Sequence, residues 1–184
     1  MPNIKVIDNP RERISDASEI DIARFAAYLD GEGSITLQFG HAGNPGSGKD
    51  RMGICVSNTD ARLMKWLIET FGGVVMAQRP NPGQHGKKIL FSWRLHSVNA
   101  SFMLERCKKY LIIKPEEARL AIAFQATFCK PGFVPGRKGV PRGLSILDRA
   151  ERGAIYEEFR KVRDMRKGID GFQDLEAATP ETVQ

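Results

Sequence analysis

A helix forced to stop on carboxylates set among glycines is the strongest constraint in this sequence. Phe25-Ala26-Ala27-Tyr28-Leu29-Asp30-Gly31-Glu32-Gly33 opens as an apolar, small-residue run and closes as Asp-Gly-Glu-Gly. Ser18-Glu19-Ile20-Asp21 precedes it like a capping box, with Asp where Glu is usual. The pattern predicts a helix over residues 18–29, ended by Gly31 and Gly33. Ala23, Ala26, Ala27 and Asp30 stand at i, i+3, i+4 and i+7 and share one face, while Phe25, Tyr28 and Leu29 can point into a core. Small residues let a second helix come close. Two copies packed along that seam would bring two Glu32 carboxylates to one point, a setting for a hard cation such as Mg²⁺.

Around this helix the chain alternates strand pairs with helices. Residues 34–39 and 51–57 alternate polar with apolar across a Gly/Pro/Asn/Ser loop. Asp60 is placed to cap a helix that ends at Gly72-Gly73. Residues 74–79 and 88–96 form a second strand pair, Ser97 can cap a helix to about Tyr110, and Pro115 opens another to about Phe128. The order α-β-β-α-β-β-α-α predicts an α+β domain, a four-stranded antiparallel sheet with helices on one face. Residues 1–17 read as an irregular arm without the apolar centre of a secretion signal. Residues 130–144 read as a basic Pro/Gly-rich linker, and residues 145–184 as an amphipathic helix followed by an acidic tail.

Charge points to a polyanionic partner. The chain has 28 Lys+Arg against 22 Asp+Glu, a net +6. Asp170, Asp174, Glu176 and Glu181 lie in the last fifteen residues, which carry no basic residue; removing those four negative charges from +6 leaves +10 on residues 1–169. No apolar run approaches the ~20 residues of a membrane span. Three separated cysteines, Cys55, Cys107 and Cys129, fit a reduced protein rather than a disulfide or zinc scaffold. With Ile35, Leu37, Ile54, Val56 and Trp93 facing the helices, the other sheet face takes Ser34, Thr36, Gln38, Arg51, Ser57, Arg79, Lys88, Ser92 and Arg94. Such groups suit reading base edges and phosphates in a DNA groove, as well as simple solvation.

The nine residues Phe25–Gly33 resemble the motif of the LAGLIDADG homing endonucleases, with Phe for the first Leu, Ala for Gly and Glu for the second Asp. The resemblance runs from about residue 20 to residue 128 and includes Lys114, just before the last core helix. It implies a DNA endonuclease using Mg²⁺, with Mn²⁺ or Ca²⁺ able to occupy the site. It implies metal on Glu32 and the Gly31 carbonyl, Lys114 neutralising charge on the phosphate, and Asn58 and Arg62 orienting water and phosphate. A single motif copy implies a homodimer, meeting along Ala23, Ala26, Ala27 and Asp30 and cutting a pseudo-palindromic duplex. Within the same fold an intron RNA maturase or an inactive DNA-binding regulator are the alternatives. The expected location is the cytoplasm of a bacterial or phage host, or an organelle matrix. His41, His85 and His96 have no ligand spacing and receive no role.

Overall fold

The computed structural model describes residues 4–39, 50–78, 88–128 and 146–168. Strands β1 (Ile4–Ile7), β2 (Gly33–Gln38), β3 (Arg51–Asn58), β4 (Gly73–Gln78) and β5 (Leu90–His96) form one antiparallel sheet in the order β1-β4-β5-β3-β2. Helices α1 (Pro10–Asp16), α2 (Glu19–Glu32), α3 (Ala61–Phe71), α4 (Ser97–Cys107), α5 (Pro115–Ala126) and α6 (Ile146–Gly168) complete it. From α2 to α5 the order is the one that the sequence predicts. No helix among the described residues is long and apolar enough to cross a membrane.

The sheet has five strands rather than four, because the N-terminal arm is not irregular. β1 pairs with β4, Val6 opposite Val74 and Ile7 opposite Gly73. A four-residue strand and a seven-residue helix are too short to declare themselves by periodicity. Tertiary contacts hold them. Ile14 of α1 is fully buried, and Arg106 of α4 donates to the carbonyls of Ile14, Ser15 and Ala17.

Alternation along the strands sorts the sheet into two faces. Ile35, Leu37, Met52, Ile54, Val56, Trp93 and Leu95 are buried against α2 to α5. Trp93 also satisfies its indole by donating to the Gly72 carbonyl at 2.8 Å. Phe159 of α6 is 2% exposed and joins this same core, with Ile155, Tyr156 and Val162 packed beside it. The basic linker, Arg79 and the acidic tail lie outside the described residues.

Local signals placed the starts of α2 and α3 but misplaced that of α4. The Ser18 hydroxyl accepts from Asp21 N at 3.1 Å, and Asp60 accepts from Arg62 N at 2.8 Å. Ser97, expected as a cap, is instead the first residue of α4, with φ +53°; the cap position belongs to His96, whose side chain makes no capping bond.

Candidate active site and nucleic-acid interface

The helix α2 runs one residue past the first glycine, Gly31, and ends at Glu32. Gly33 then turns the chain directly into β2. A Cβ at Gly33 would lie 2.7 Å from the Leu29 Cα, so only glycine lets the strand leave so close to the helix end. Glu32 is therefore held at the junction of α2 and β2, and it is exposed.

Asn58, the last residue of β3, reaches Glu32. Its Nδ2 donates to Glu32 Oε2, while its Oδ1 accepts from Asp60 N at 2.7 Å. The second bond fixes which end of the amide faces Glu32. Arg62 stands one step further, its exposed guanidinium donating from Nε (3.1 Å) and Nη2 (2.6 Å) to Asp60. That pairing holds the Asp60 carboxyl down at about 2. Asn58, Asp60 and Arg62 thus form a chain leading away from Glu32. Asp60 escapes a motif search; its signal is the Asn-x-Asp-x-Arg spacing at the start of α3. With Arg24, Tyr28, Leu63 and Trp66, Asp60 and Arg62 line an open cleft of about 410 Å³.

Lys114 differs from expectation. Its side chain is 4% exposed and points at the end of α2, where Nζ donates to the Leu29 carbonyl at 2.8 Å and to the Asp30 carbonyl. It binds at the last turn of the helix, where a cation meets the negative end of the dipole, and shares the Leu29 carbonyl with the Gly33 N–H. Burial first, then Arg166 of α6, push the Lys114 ammonium below its ordinary pKa. Asp30 completes the brace. Its Oδ2 accepts from Ile112 N (2.6 Å) and Ile113 N (3.2 Å), its Oδ1 from Lys114 N (3.0 Å). Asp30→Ala would leave those amides unpaired, at about 1–3 kcal/mol. Urea unfolding should show the midpoint fall with an unchanged slope.

On the outer sheet face the paired residues form rows. Thr36, Gly53 and His96 make one; Ser34, Cys55, Arg94 and Val74 a second; Ser57, Ser92 and Met76 a third. Ser57 and Ser92 share a hydrogen bond of 2.9 Å, and Thr36 donates to the Gly53 carbonyl at 3.2 Å. Gln38 pairs with Arg51, and both are exposed, as is Lys88 before β5. The face is polar and basic only over β2, β3 and β5. Over β4 and β1 it turns apolar, with Val74, Met76 and the 57%-exposed Val6. The added β1 brings that apolar margin. Arg94 is half-buried, and its Nε finds no partner among the described residues.

No protein-family model and no curated protein sequence matches the chain. Solved structures do. The archaeal intron-encoded homing endonuclease I-Vdi141I, complexed with DNA, has a TM-score of 0.58 at 12% identity, covering 78% of this chain and 84% of that one. Homing endonuclease I-CvuI, on the I-CreI target with magnesium present and the DNA not cleaved, gives 0.51 at 14% identity, covering 81% of each chain. I-CvuI on its own target with calcium gives 0.51 at 13% identity, covering 90% of this chain and 87% of that one. The chain has the LAGLIDADG homing endonuclease fold. Within that fold, α2 and its C-cap Gly33 carry the nine residues that resemble the LAGLIDADG motif.

The small-residue seam of this LAGLIDADG helix is split rather than continuous. Ala26 is fully buried and Asp30 is 9% exposed, both turned into the chain's own core. Ala23 is half-buried, and Ala27, Arg24, Tyr28 and Gly31 are exposed. Ile20 is 65% exposed, and Ile112 beyond the helix end is 88% exposed. The free face thus runs Ile20, Arg24, Ala27, Tyr28, Gly31, rotated from the expected one. Helical spacing alone lists which residues share a face, and the demand of three amides for a carboxylate decides that Asp30 turns inward. Tyr28, expected in the core, lies on the rim against Trp66, with ring centroids 5.9 Å apart.

The donor chemistry at the LAGLIDADG helix end suits a hard divalent ion. Asn58 occupies one oxygen of the exposed Glu32, and Gly31 beside it is exposed as well. One chain offers only part of a coordination shell, since both Asp30 oxygens are spent on amides. Among the described residues, no cluster of three or more His, Cys, Asp or Glu side chains forms.

Proposed function

We propose that the chain is a metal-dependent, site-specific DNA endonuclease that acts as a homodimer. The observation that carries this is the setting of Glu32. It is an exposed carboxylate at the solvent end of a LAGLIDADG helix, oriented by Asn58, on a helix end braced by buried Asp30 and Lys114. A solvated turn carboxylate has no need of such support. That DNA-bound homing endonucleases share the fold adds to the reading.

Glu32 and the Gly31 carbonyl would hold Mg²⁺, or Mn²⁺ or Ca²⁺ in its place. Bound metal supplies a water of lowered pKa and charge stabilisation for the leaving oxygen. Asn58 fixes the rotamer of Glu32. Arg62 stands beside Asp60, and a phosphate entering the cleft competes for its guanidinium. Lys114 acts through position: its ammonium fastens the turn from which Gly31 and Glu32 project, and adds a buried positive charge near them. The sheet face of Ser34, Thr36, Gln38, Arg51, Ser57, Ser92 and Arg94 lies against the duplex, with Lys88 at its edge.

The test is cleavage of the uninterrupted form of the encoding locus in Mg²⁺. A double-strand cut at one roughly two-fold symmetric site supports the reading. Binding there without cutting, at every divalent ion tried, leaves a DNA-binding regulator instead. A second expected result concerns assembly. Ala27→Glu places a charge at the centre of the free α2 face. It should give a folded monomer by sedimentation velocity while the unaltered chain sediments as a dimer. An unaltered chain that stays monomeric with and without DNA sinks the homodimer.

A further inference from the structure

His96 has no role in the sequence motif, yet it sits within the basic part of the outer sheet face. It lies opposite Gly53 of β3, and Gly53 lies opposite Thr36 of β2. Gly53 makes room for the ring: a Cβ there would come within 2.9 Å of His96 Nδ1. The imidazole therefore rests on bare backbone and keeps an exposed outer edge. Two-residue alternation brings Arg94 of β5 and Arg51 of β3 to the same face.

Among the described residues, no acid balances these groups. β3 presents Arg51 and β5 presents Arg94 to the ring, while β2 presents the uncharged Thr36 and Gln38. The first turn of α4 offers Ser97 and Val98, also uncharged. Asp50, the acid nearest Arg51 in sequence, accepts from Arg152 at 2.8 Å. Burial, then Arg94 and Arg51, hold the imidazole below its ordinary pKa of 6.5, so it is neutral in the free protein at pH 7. A phosphate backbone laid over the face reverses the sign of the local potential.

Building on the DNA-binding reading above, we propose that His96 is a proton-linked phosphate contact. It takes up a proton as the sheet meets a nucleic-acid backbone and adds a third cation to Arg51 and Arg94. The linkage has a definite sign. The bound state holds the proton more tightly, so affinity rises as pH falls through the bound-state pKa and levels off below the free-state one.

The experiment titrates the full chain with a mixed-sequence duplex of about 30 base pairs, over a salt series at about pH 8 and about pH 5.5. One added phosphate contact steepens the slope of log K against log salt by about 0.9. The unaltered chain should gain that increment on going to the lower pH. His96→Gln should lose it, and His96→Lys should show the steeper slope at both pH values. The His96 Cε1 proton resonance gives a readout independent of the variants: its titration midpoint should move up when duplex is added. An increment that persists in His96→Gln, or a midpoint that duplex leaves in place, overturns the inference while DNA binding stands. Failure to bind duplex at any pH overturns the DNA-binding reading and this inference together.

Discussion

Glu32→Gln should abolish cleavage while DNA binding and folding survive. The substitution keeps the shape of the side chain and removes its charge, so the loss falls on metal affinity and on the chemical step. Removing one preorganised charge-stabilising group costs about 10²–10³ in kcat, and loss of a metal-holding carboxylate belongs at or beyond the upper end. Little stability is at stake. Glu32 is exposed and makes its one described bond to Asn58, which a glutamine carbonyl can still accept. The melting temperature should stay within a few degrees, the shift that about 1 kcal/mol produces in a chain of this size. Single-turnover cleavage and gel-shift binding on one duplex separate the outcomes. Equal loss of both would make Glu32 a folding or docking residue, whereas retained cleavage would remove it from the chemistry. Asn58→Ala should act through it, lowering the rate less and raising the Mg²⁺ concentration needed for half-maximal cutting. A purely structural Asn58 would leave that metal dependence unchanged.

Where the fold was legible in the sequence, short-range physics decides the outcome. Ser18 and Asp60 cap because a side-chain oxygen next to a free amide is a local event, and β2, β3 and β5 alternate because one of their faces is buried. Three features depended on partners far away in the chain. β1 and α1 are too short to be stable alone and exist through β4 and Arg106. Lys114 reads as a lysine before a helix, and only the proximity of the Leu29 and Asp30 carbonyls turns it inward. The α2 seam held four residues at correct spacing, yet amides 82 and 83 positions away claim Asp30. Gly31 and Glu32 stand in the motif itself, and Asn58, expected from the resemblance, is brought to Glu32 by the end of β3. The bare Gly53 backbone under His96 and the Arg62 pairing of Asp60 do not show in the sequence, because strand pairing and a turn make those surroundings.

Arg152→Met should destabilise the chain more than any surface substitution, by about 3–5 kcal/mol. Arg152 of α6 is 1% exposed. Its Nη1 donates to Asp50 at 2.8 Å, its Nε donates to the Thr127 hydroxyl at 2.8 Å, and its guanidinium stacks 3.7 Å from the Phe128 ring centroid. Asp50 is itself 12% exposed in its side chain, so removing the arginine takes a charge partner from a carboxylate in a poorly solvated place. At about 2–4 °C per kcal/mol for a chain of this size, the melting temperature should fall by roughly 10 °C. The Arg119–Glu116 pair is the control, since both side chains are about half exposed; its loss should cost under about 1 kcal/mol. Adding Asp50→Leu to Arg152→Met should recover much of the stability, because an apolar pair of similar volume often matches a buried ion pair. A fall no larger than that of the control would mean that water reaches the pair and that α6 is held by its apolar contacts, Phe159 among them. The consequence reaches the site. Tyr156 packs on Phe39 with ring centroids 5.8 Å apart, so α6 grips the end of β2 through Phe39 and the start of β3 through Asp50. These two strands carry Gln38 and Arg51. The double variant, stable but without the ion pair, should therefore bind duplex with a weakened preference at the base pairs those residues meet, measured by cleavage of a target library.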